Sequence, residues 1–303
     1  MKFIRPIGIT DAKLVSSTVP ETDYSAWNAA TAYTVGQRVI RTTTHRVYER
    51  LIAGTTATAP ESDAVNWLDI GPTNRWAMFD EKVGTETTAS GSMTVVLAPG
   101  RINSLALLGV EASTVTVALV AGGQTVYEAS LDLDSGNKVG NWYEYFYEPI
   151  YQQTEVVITN LLDAALLDIP GYGEGQLTVT LSRPGETVRL GVFAVGLLYD
   201  VGQTEYEAEV SIRDYSRKEA DDFGNYTLVK RDYSKTMSLN VVVPADRVDS
   251  VAQTMARHRA TNVVWIGSTQ FGSLIVYGFL ADWRLVAKNY SIWSYSAKIE
   301  GMT

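Results

Sequence analysis

Cysteine is absent from the sequence, and histidine occurs only as His45 and His258. Without a thiol the chain cannot form a disulfide, a thiolate nucleophile, a cysteine-ligated zinc site or an iron–sulfur cluster. Two histidines are also too few for a three-histidine metal site. The lack of cysteine is compatible with folding in a reducing cytosol. We therefore expect a protein with no metal site and no cofactor.

Long apolar segments are missing as well. The longest, residues 190–199, is about half the length of a membrane-spanning helix, which needs about 20 residues. The first residues carry positive charge, but Pro6 and Asp11 interrupt them before an apolar stretch develops, which is not typical of a signal peptide. We expect a soluble protein that does not insert into a membrane.

An excess of basic residues is also lacking. The chain has 34 acidic and 25 basic residues, which give a net charge of −9. This balance argues against a nucleic-acid partner or an anionic membrane surface, since both select basic surfaces. Hydrophobic residues make up 46% of the sequence, which is enough to form a hydrophobic core. The length of 303 residues corresponds to about two domains.

Strand patterns dominate the chain. Short runs rich in Val, Thr, Leu and Tyr, separated by Gly, Pro, Asn or Asp, occur at residues 92–97, 114–120, 125–131, 155–159, 176–181 and 187–195. Such closely spaced runs predict a jelly-roll-type β-sandwich over residues 91–200.

One helix is predicted near residues 245–259. Val248, Val251, Ala252 and Met255 recur at helical spacing, with acidic residues near the start and basic residues near the end. Strand-like runs precede and follow this segment. Residues 201–303 therefore read as a β-rich C-terminal domain with one packed helix, and the whole chain as mainly β.

The N-terminal part differs in composition. We interpret residues 1–23 as an arm, 24–70 as a small aromatic-centred β module and 71–90 as a linker. Residues 27–39 read WNAATAYTVGQRV and are followed by Tyr48, Pro60 and Trp67. This pattern resembles the chitin- and cellulose-binding modules of carbohydrate-binding families 5 and 12 (chitin-binding type 3).

That resemblance implies a carbohydrate-binding role for the aromatic residues Trp27, Tyr33, Tyr48 and Trp67. The alternative is that these four side chains form the core, because so small a module without disulfides needs large aromatics to bury enough surface. Family members usually carry exposed aromatics after the second Tyr, where this chain has Leu51 and Ile52. Aliphatic side chains offer no π-face to a sugar, so the resemblance implies the fold more than the ligand.

A second resemblance covers most of the chain. Residues 72–80 (PTNRWAMFD), 214–225 (DYSRKEADDFGN) and 264–267 (VWIG) are similar to virion proteins of long-tailed, siphovirus-like bacteriophages, among their tail-tip or baseplate proteins. The resemblance implies a structural subunit that is assembled in the host cytoplasm and resides at the tail tip. Its partners would be other tail-tip subunits, most simply in a homo-oligomeric ring. The alternative is an adhesin that binds a host-surface glycan.

A run of aromatic residues between residues 141 and 149 is a candidate subunit interface. Its members are Trp142, Tyr143, Tyr145, Phe146 and Tyr147. Five aromatics in six positions cannot all be buried on one face of a strand, and protein interfaces are enriched in Tyr and Trp.

Catalytic patterns are not found. Glu205, Glu207 and Glu209 alternate and are expected on one solvated strand face, while His258 is expected at a helix end or a surface contact. The segment around Asp132 and Asp134 lacks the closing Glu of an EF-hand loop, and a turn explains it without a metal. We therefore expect a protein that is not an enzyme.

Overall fold

The structure is a computed structural model that describes residues 1–134, 153–161, 175–220 and 225–302. The predicted mainly β fold with a helix near the C-terminus is confirmed. The aromatic run from Trp142 to Tyr147 lies outside the described residues.

Nearly all regular elements in the described ranges are strands. In chain order they are β1 (Lys2–Pro6), β2 (Leu14–Ser17), β3 (Arg38–Arg41), β4 (Arg46–Arg50), β5 (Trp67–Pro72), β6 (Thr87–Leu97), β7 (Ser104–Glu111), β8 (Thr114–Ala121), β9 (Gln124–Asp132), β10 (Glu155–Ile158), β11 (Gln176–Asp200), β12 (Gln203–Thr204), β13 (Glu209–Asp214), β14 (Arg217–Ala220), β15 (Tyr226–Val229), β16 (Tyr233–Pro244), β17 (Val263–Ile266), β18 (Ile275–Ala287) and β19 (Ile292–Gly301). The helix α1 comprises Val248–Arg257, directly after a 3-10 turn at Ala245–Arg247.

The two layers of the β-sandwich share the long strand β11. One layer has the order β2-β6-β11-β8-β9, and the other contains β10-β7-β11-β1. Residues 176–182 of β11 pair with β8, and residues 189–196 pair with β7. Because side chains alternate along a strand, Val95 and Val179 of the first layer and Leu107 of the second meet in one buried core.

Strand β1 joins this sandwich to the C-terminal region. It pairs antiparallel with the end of β11 on one side and with β17 on the other. Beyond β17 the same sheet continues through β18, β19, β16 and β12. Phe3 and Ile4 are both fully buried, but they belong to different hydrophobic clusters because consecutive side chains point to opposite faces.

Helix α1 covers the C-terminal part of this sheet. Val248, Val251 and Met255 are buried against a cluster that includes Trp265 and Tyr295. The predicted helical periodicity therefore corresponds to the buried face of the helix.

The N-terminal segments take part in the same framework. Residues 1–23, interpreted as an arm, contain β1 and β2, and β2 pairs with β6. Residues 71–90, interpreted as a linker, include the start of β6 and the buried side chains of Trp76 and Met78.

The contact between β1 and β11 requires a glycine at position 196. A Cβ atom on Gly196 would lie 1.8 Å from the carbonyl oxygen of Arg5. We predict that Gly196→Ala lowers the free energy of unfolding by about 3 kcal/mol, because β1 must move away from its neighbour. Gly8→Ala is the matched control, since nothing lies within 4 Å of a Cβ there. Urea unfolding monitored by circular dichroism measures both variants, and equal stabilities would contradict the proposed packing of β1.

Candidate functional site

The aromatic residues of the small module form its core. Tyr33, Tyr48 and Trp67 are 2–4% exposed and pack with Val39, and Trp27 packs against this cluster from the side. The rings of Tyr33 and Trp67 meet edge to face, with centroids 5.1 Å apart. These rings stabilise the three-stranded sheet β3-β4-β5, and three of the four offer no accessible face to a sugar.

Guanidinium groups cover the two tryptophan rings. Arg50, itself 2% exposed, lies 4.9 Å from the ring of Trp67, and Arg41 lies 4.8 Å from the ring of Trp27. Arg41 is held in place by two hydrogen bonds to Glu61, of 2.8 and 3.0 Å, which lower the pKa of that carboxyl group. The partly exposed face of Trp27 is therefore occupied by a cation within the chain.

The outer end of the module carries aliphatic side chains. Leu51 and Ile52, which follow β4, are 41% and 52% exposed, and Val35 and Val65 are exposed as well. The backbone of Leu51 bonds to Asn66 and that of Arg50 to Gly36, so these loops lie at the same end of the small sheet. This end has no aromatic platform at the positions where the carbohydrate-binding families carry one.

His45 connects the module to the sandwich. Its Nδ1 atom lies 3.0 Å from a carboxylate oxygen of Glu21, and its Nε2 atom lies 3.0 Å from one of Asp11. The ring stacks on Trp76 with centroids 4.0 Å apart. Glu21 also accepts a hydrogen bond of 2.9 Å from Thr73 Oγ1. One side chain thus joins three separate segments of the N-terminal region.

A long hairpin leaves the edge of the shared sheet. Strand β13 pairs with the start of β16, and β14 pairs with β15 in nearly the same register, so the two pairs form one continuous hairpin. Every residue of β13 and β14 is exposed. Among the described residues of this hairpin, the exposed large apolar side chains are Val210, Ile212, Tyr215, Tyr226, Leu228 and Tyr233.

The sequence does not predict this hairpin as an exposed surface. Alternation of Val210 and Ile212 with polar residues is typical of a half-buried strand. The sequence alone does not indicate that both side chains are exposed. The sequence signal at this place is segment 214–225, singled out above, which begins within the hairpin.

The expectation that three glutamates share a strand face is wrong, whereas that for His258 is confirmed at the helix end but not at the surface. Glu205, Glu207 and Glu209 do not share a strand face, because β12 ends before them and only Glu209 lies in β13. His258 is 4% exposed, donates a 2.8 Å hydrogen bond from Nδ1 to the carbonyl oxygen of Thr254, and packs against Phe3. It belongs to the hydrophobic core rather than to a surface contact.

A cavity of about 350 Å³ lies beside β7 and β18 and contains a buried carboxylate, Glu155. One oxygen of Glu155 pairs with Lys235 Nζ at 2.6 Å, and the other accepts a 2.8 Å hydrogen bond from Thr154 Oγ1. Burial raises the pKa of the neighbouring Tyr277 above its usual value. Both carboxylate oxygens are engaged, as in a structural ion pair rather than a general acid or base.

Within the described ranges, no three His, Asp or Glu side chains are arranged to hold a metal ion. Among the same residues, no helix is long and apolar enough to cross a membrane.

Comparison of the chain with models of known protein families and with curated protein sequences finds no match. The candidate sites therefore have to be judged on their own geometry.

The contacts of His45 predict a measurable contribution to stability. His45→Asn removes the ring stacked on Trp76 and one of the two carboxylate contacts, and Asn tolerates the positive φ of 55° at this position. We expect the free energy of unfolding at pH 7 to fall by about 1–2 kcal/mol. Arg38→Gln is the control, because it removes an exposed ion pair with Glu49 and an exposed hydrogen bond to Tyr24 in the same module, but no buried contact. If both variants unfold at the same urea concentration, His45 does not join these segments.

Proposed function

We propose that this chain is a non-enzymatic structural subunit of the tail tip or baseplate of a long-tailed, siphovirus-like bacteriophage. Its C-terminal β region assembles with further copies into a ring, and its small carbohydrate-binding-like module is displayed outward. The subunit is made in the host cytoplasm and resides in the virion, where its other partners are neighbouring tail-tip proteins.

The exposed hairpin is the observation that carries the assembly step. Ile212 and Leu228 are 66% and 72% exposed. One side of the hairpin, residues 209–220, extends about 40 Å. Isolated two-stranded hairpins are only marginally stable in water, and exposed apolar strands promote pairing with another chain. A neighbouring copy that packs on the hairpin would remove this apolar surface from water.

The geometry favours a head-to-tail contact. The hairpin emerges at β16, near one end of the shared sheet, while β10 lies at the other end. A contact between two different surfaces of identical subunits generates a ring when the rotation closes.

The phage assignment rests on the sequence resemblance. The segments that carry this resemblance lie partly in the buried framework and partly in the exposed hairpin. Residues 72–80 contribute Trp76 to the contact with His45, and residues 214–220 lie in the exposed hairpin. Residues 264–266 belong to β17 and are buried, and Gly267 directly follows this strand. The similarity thus includes both the framework and the surface proposed for assembly.

A glycan-binding adhesin is the second candidate function. The four module aromatics give it little support, because three are buried and Trp27 is covered by Arg41. An open cleft with exposed aromatics in the C-terminal region supports it better.

The assembly proposal predicts that charge on the hairpin abolishes oligomers. In the double variant Ile212→Lys/Leu228→Lys, the oligomeric mass measured by light scattering should fall to that of a monomer, because lysines cannot be desolvated cheaply in an apolar contact. Folding should be retained, since both positions are exposed.

Leu51→Lys/Val65→Lys is the matched control, because it adds the same charges to exposed aliphatic positions of the small module. We expect this variant to keep the mass of the unmodified protein. A protein that is monomeric at every concentration, or a hairpin variant that assembles normally, would contradict the proposal.

A further inference from the structure

A large cleft lies beside β12 in the C-terminal region. Its volume is about 840 Å³, within the range of about 300–1,000 Å³ that is typical of small-molecule sites. It is open to solvent and lies between the loop of residues 205–208 and the loop of residues 268–271. The module aromatics Trp27, Tyr33, Tyr48 and Trp67 do not line it.

Each of the two loops presents an aromatic ring at the cleft. Tyr206 is 97% exposed and Phe271 is 58% exposed. The loops are tied together at their bases, because Thr204 Oγ1 donates a 2.8 Å hydrogen bond to the carbonyl oxygen of Gly267. The two rings are therefore carried by one connected piece of structure.

The loop that carries Tyr206 is held in an unusual conformation. Glu207 has a φ of 69°, in the left-handed region that non-glycine residues rarely adopt. Such conformations cost free energy and concentrate at binding and switch sites. Glu205 anchors the loop from the other side, through a backbone hydrogen bond of 2.8 Å to Asn240 and an ion pair with Lys288.

The polar lining suits a ligand that is uncharged and rich in hydroxyl groups. Gln203, Ser268 and Gln270 contribute amides and a hydroxyl, which can both donate and accept hydrogen bonds. Arg247 lies 3.8 Å from Asp200, so the acidic and basic groups in that part of the lining largely compensate one another. A polyanion would find no net positive charge here, because the lining holds more carboxylates than basic side chains.

From this geometry we propose that the cleft between Tyr206 and Phe271 binds a neutral oligosaccharide. The exposed ring faces supply apolar surfaces for the C–H faces of sugar rings, and the glutamine and serine side chains hydrogen-bond the hydroxyl groups. The site is separate from the hairpin proposed for assembly and from the module that resembles carbohydrate-binding families.

A microarray of neutral bacterial-surface, chitin and cellulose oligosaccharides tests this proposal with the full chain. We expect binding to at least one of these sugars, reduced at least tenfold in Tyr206→Ala and retained in Tyr206→Trp. Tyr290→Ala is the matched control, because Tyr290 is 98% exposed but does not line the cleft. Tyr206 is exposed, so its removal should leave the urea unfolding midpoint unchanged.

Three results would overturn the proposal. They are no binding to any neutral sugar on the array, equal binding by the protein and Tyr206→Ala, and an equal loss in Tyr290→Ala. The oligomeric mass of Tyr206→Ala is measured in parallel. If Tyr206→Ala becomes monomeric and the unmodified protein binds no sugar, the cleft is a contact between copies. If the mass of Tyr206→Ala is unchanged, its loss of sugar binding is independent of assembly.

Discussion

The position of β1 between β11 and β17 is the constraint on which the rest of the structure depends. Its five residues connect the sandwich to the C-terminal strands in one hydrogen-bonded sheet. Phe3 packs against Trp265 on one face, and Ile4 contacts the cluster of Val192 and Val264 on the other. The α-amino group of Met1 donates to the carbonyl oxygen of Gly202, and burial lowers its pKa to about 6. Two cores on opposite faces are thereby coupled through a single short strand.

This coupling gives the proposed functional surfaces a common support. The hairpin continues from β16, whose other edge is paired with β19 inside the shared sheet. The cleft lies along β12, which pairs with the opposite end of the same strand. The small module is attached at a different place, through the contacts of His45 with Glu21 and Trp76. The hairpin proposed for assembly and the cleft proposed for sugar binding thus lie at different places on the same sheet.

Local features of the fold could be predicted from the sequence, whereas pairing between distant segments could not. The runs at 114–120 and 125–131 correspond to β8 and β9, and the apolar spacing around Val251 identified the buried face of α1. The runs predicted separately at 176–181 and 187–195 are instead parts of the continuous strand β11, whose pairing is irregular between Ser182 and Thr187. Nothing in the sequence of residues 2–6 indicates partners about 190 and 260 residues away, because pairing depends on the global arrangement. The exposure of Tyr206 and the burial of Trp67 likewise depend on what surrounds them.

The location of the protein in phage particles tests the central claim most directly. An antibody raised against residues 24–85 and coupled to gold can be imaged by electron microscopy on intact particles of the phage proposed to encode this chain. We predict label clustered at the distal end of the tail, because the module is displayed outward from a tail-tip ring. Label on the head or along the tail would contradict the tail-tip position. Absence of both label and protein from the particles would contradict a structural role altogether.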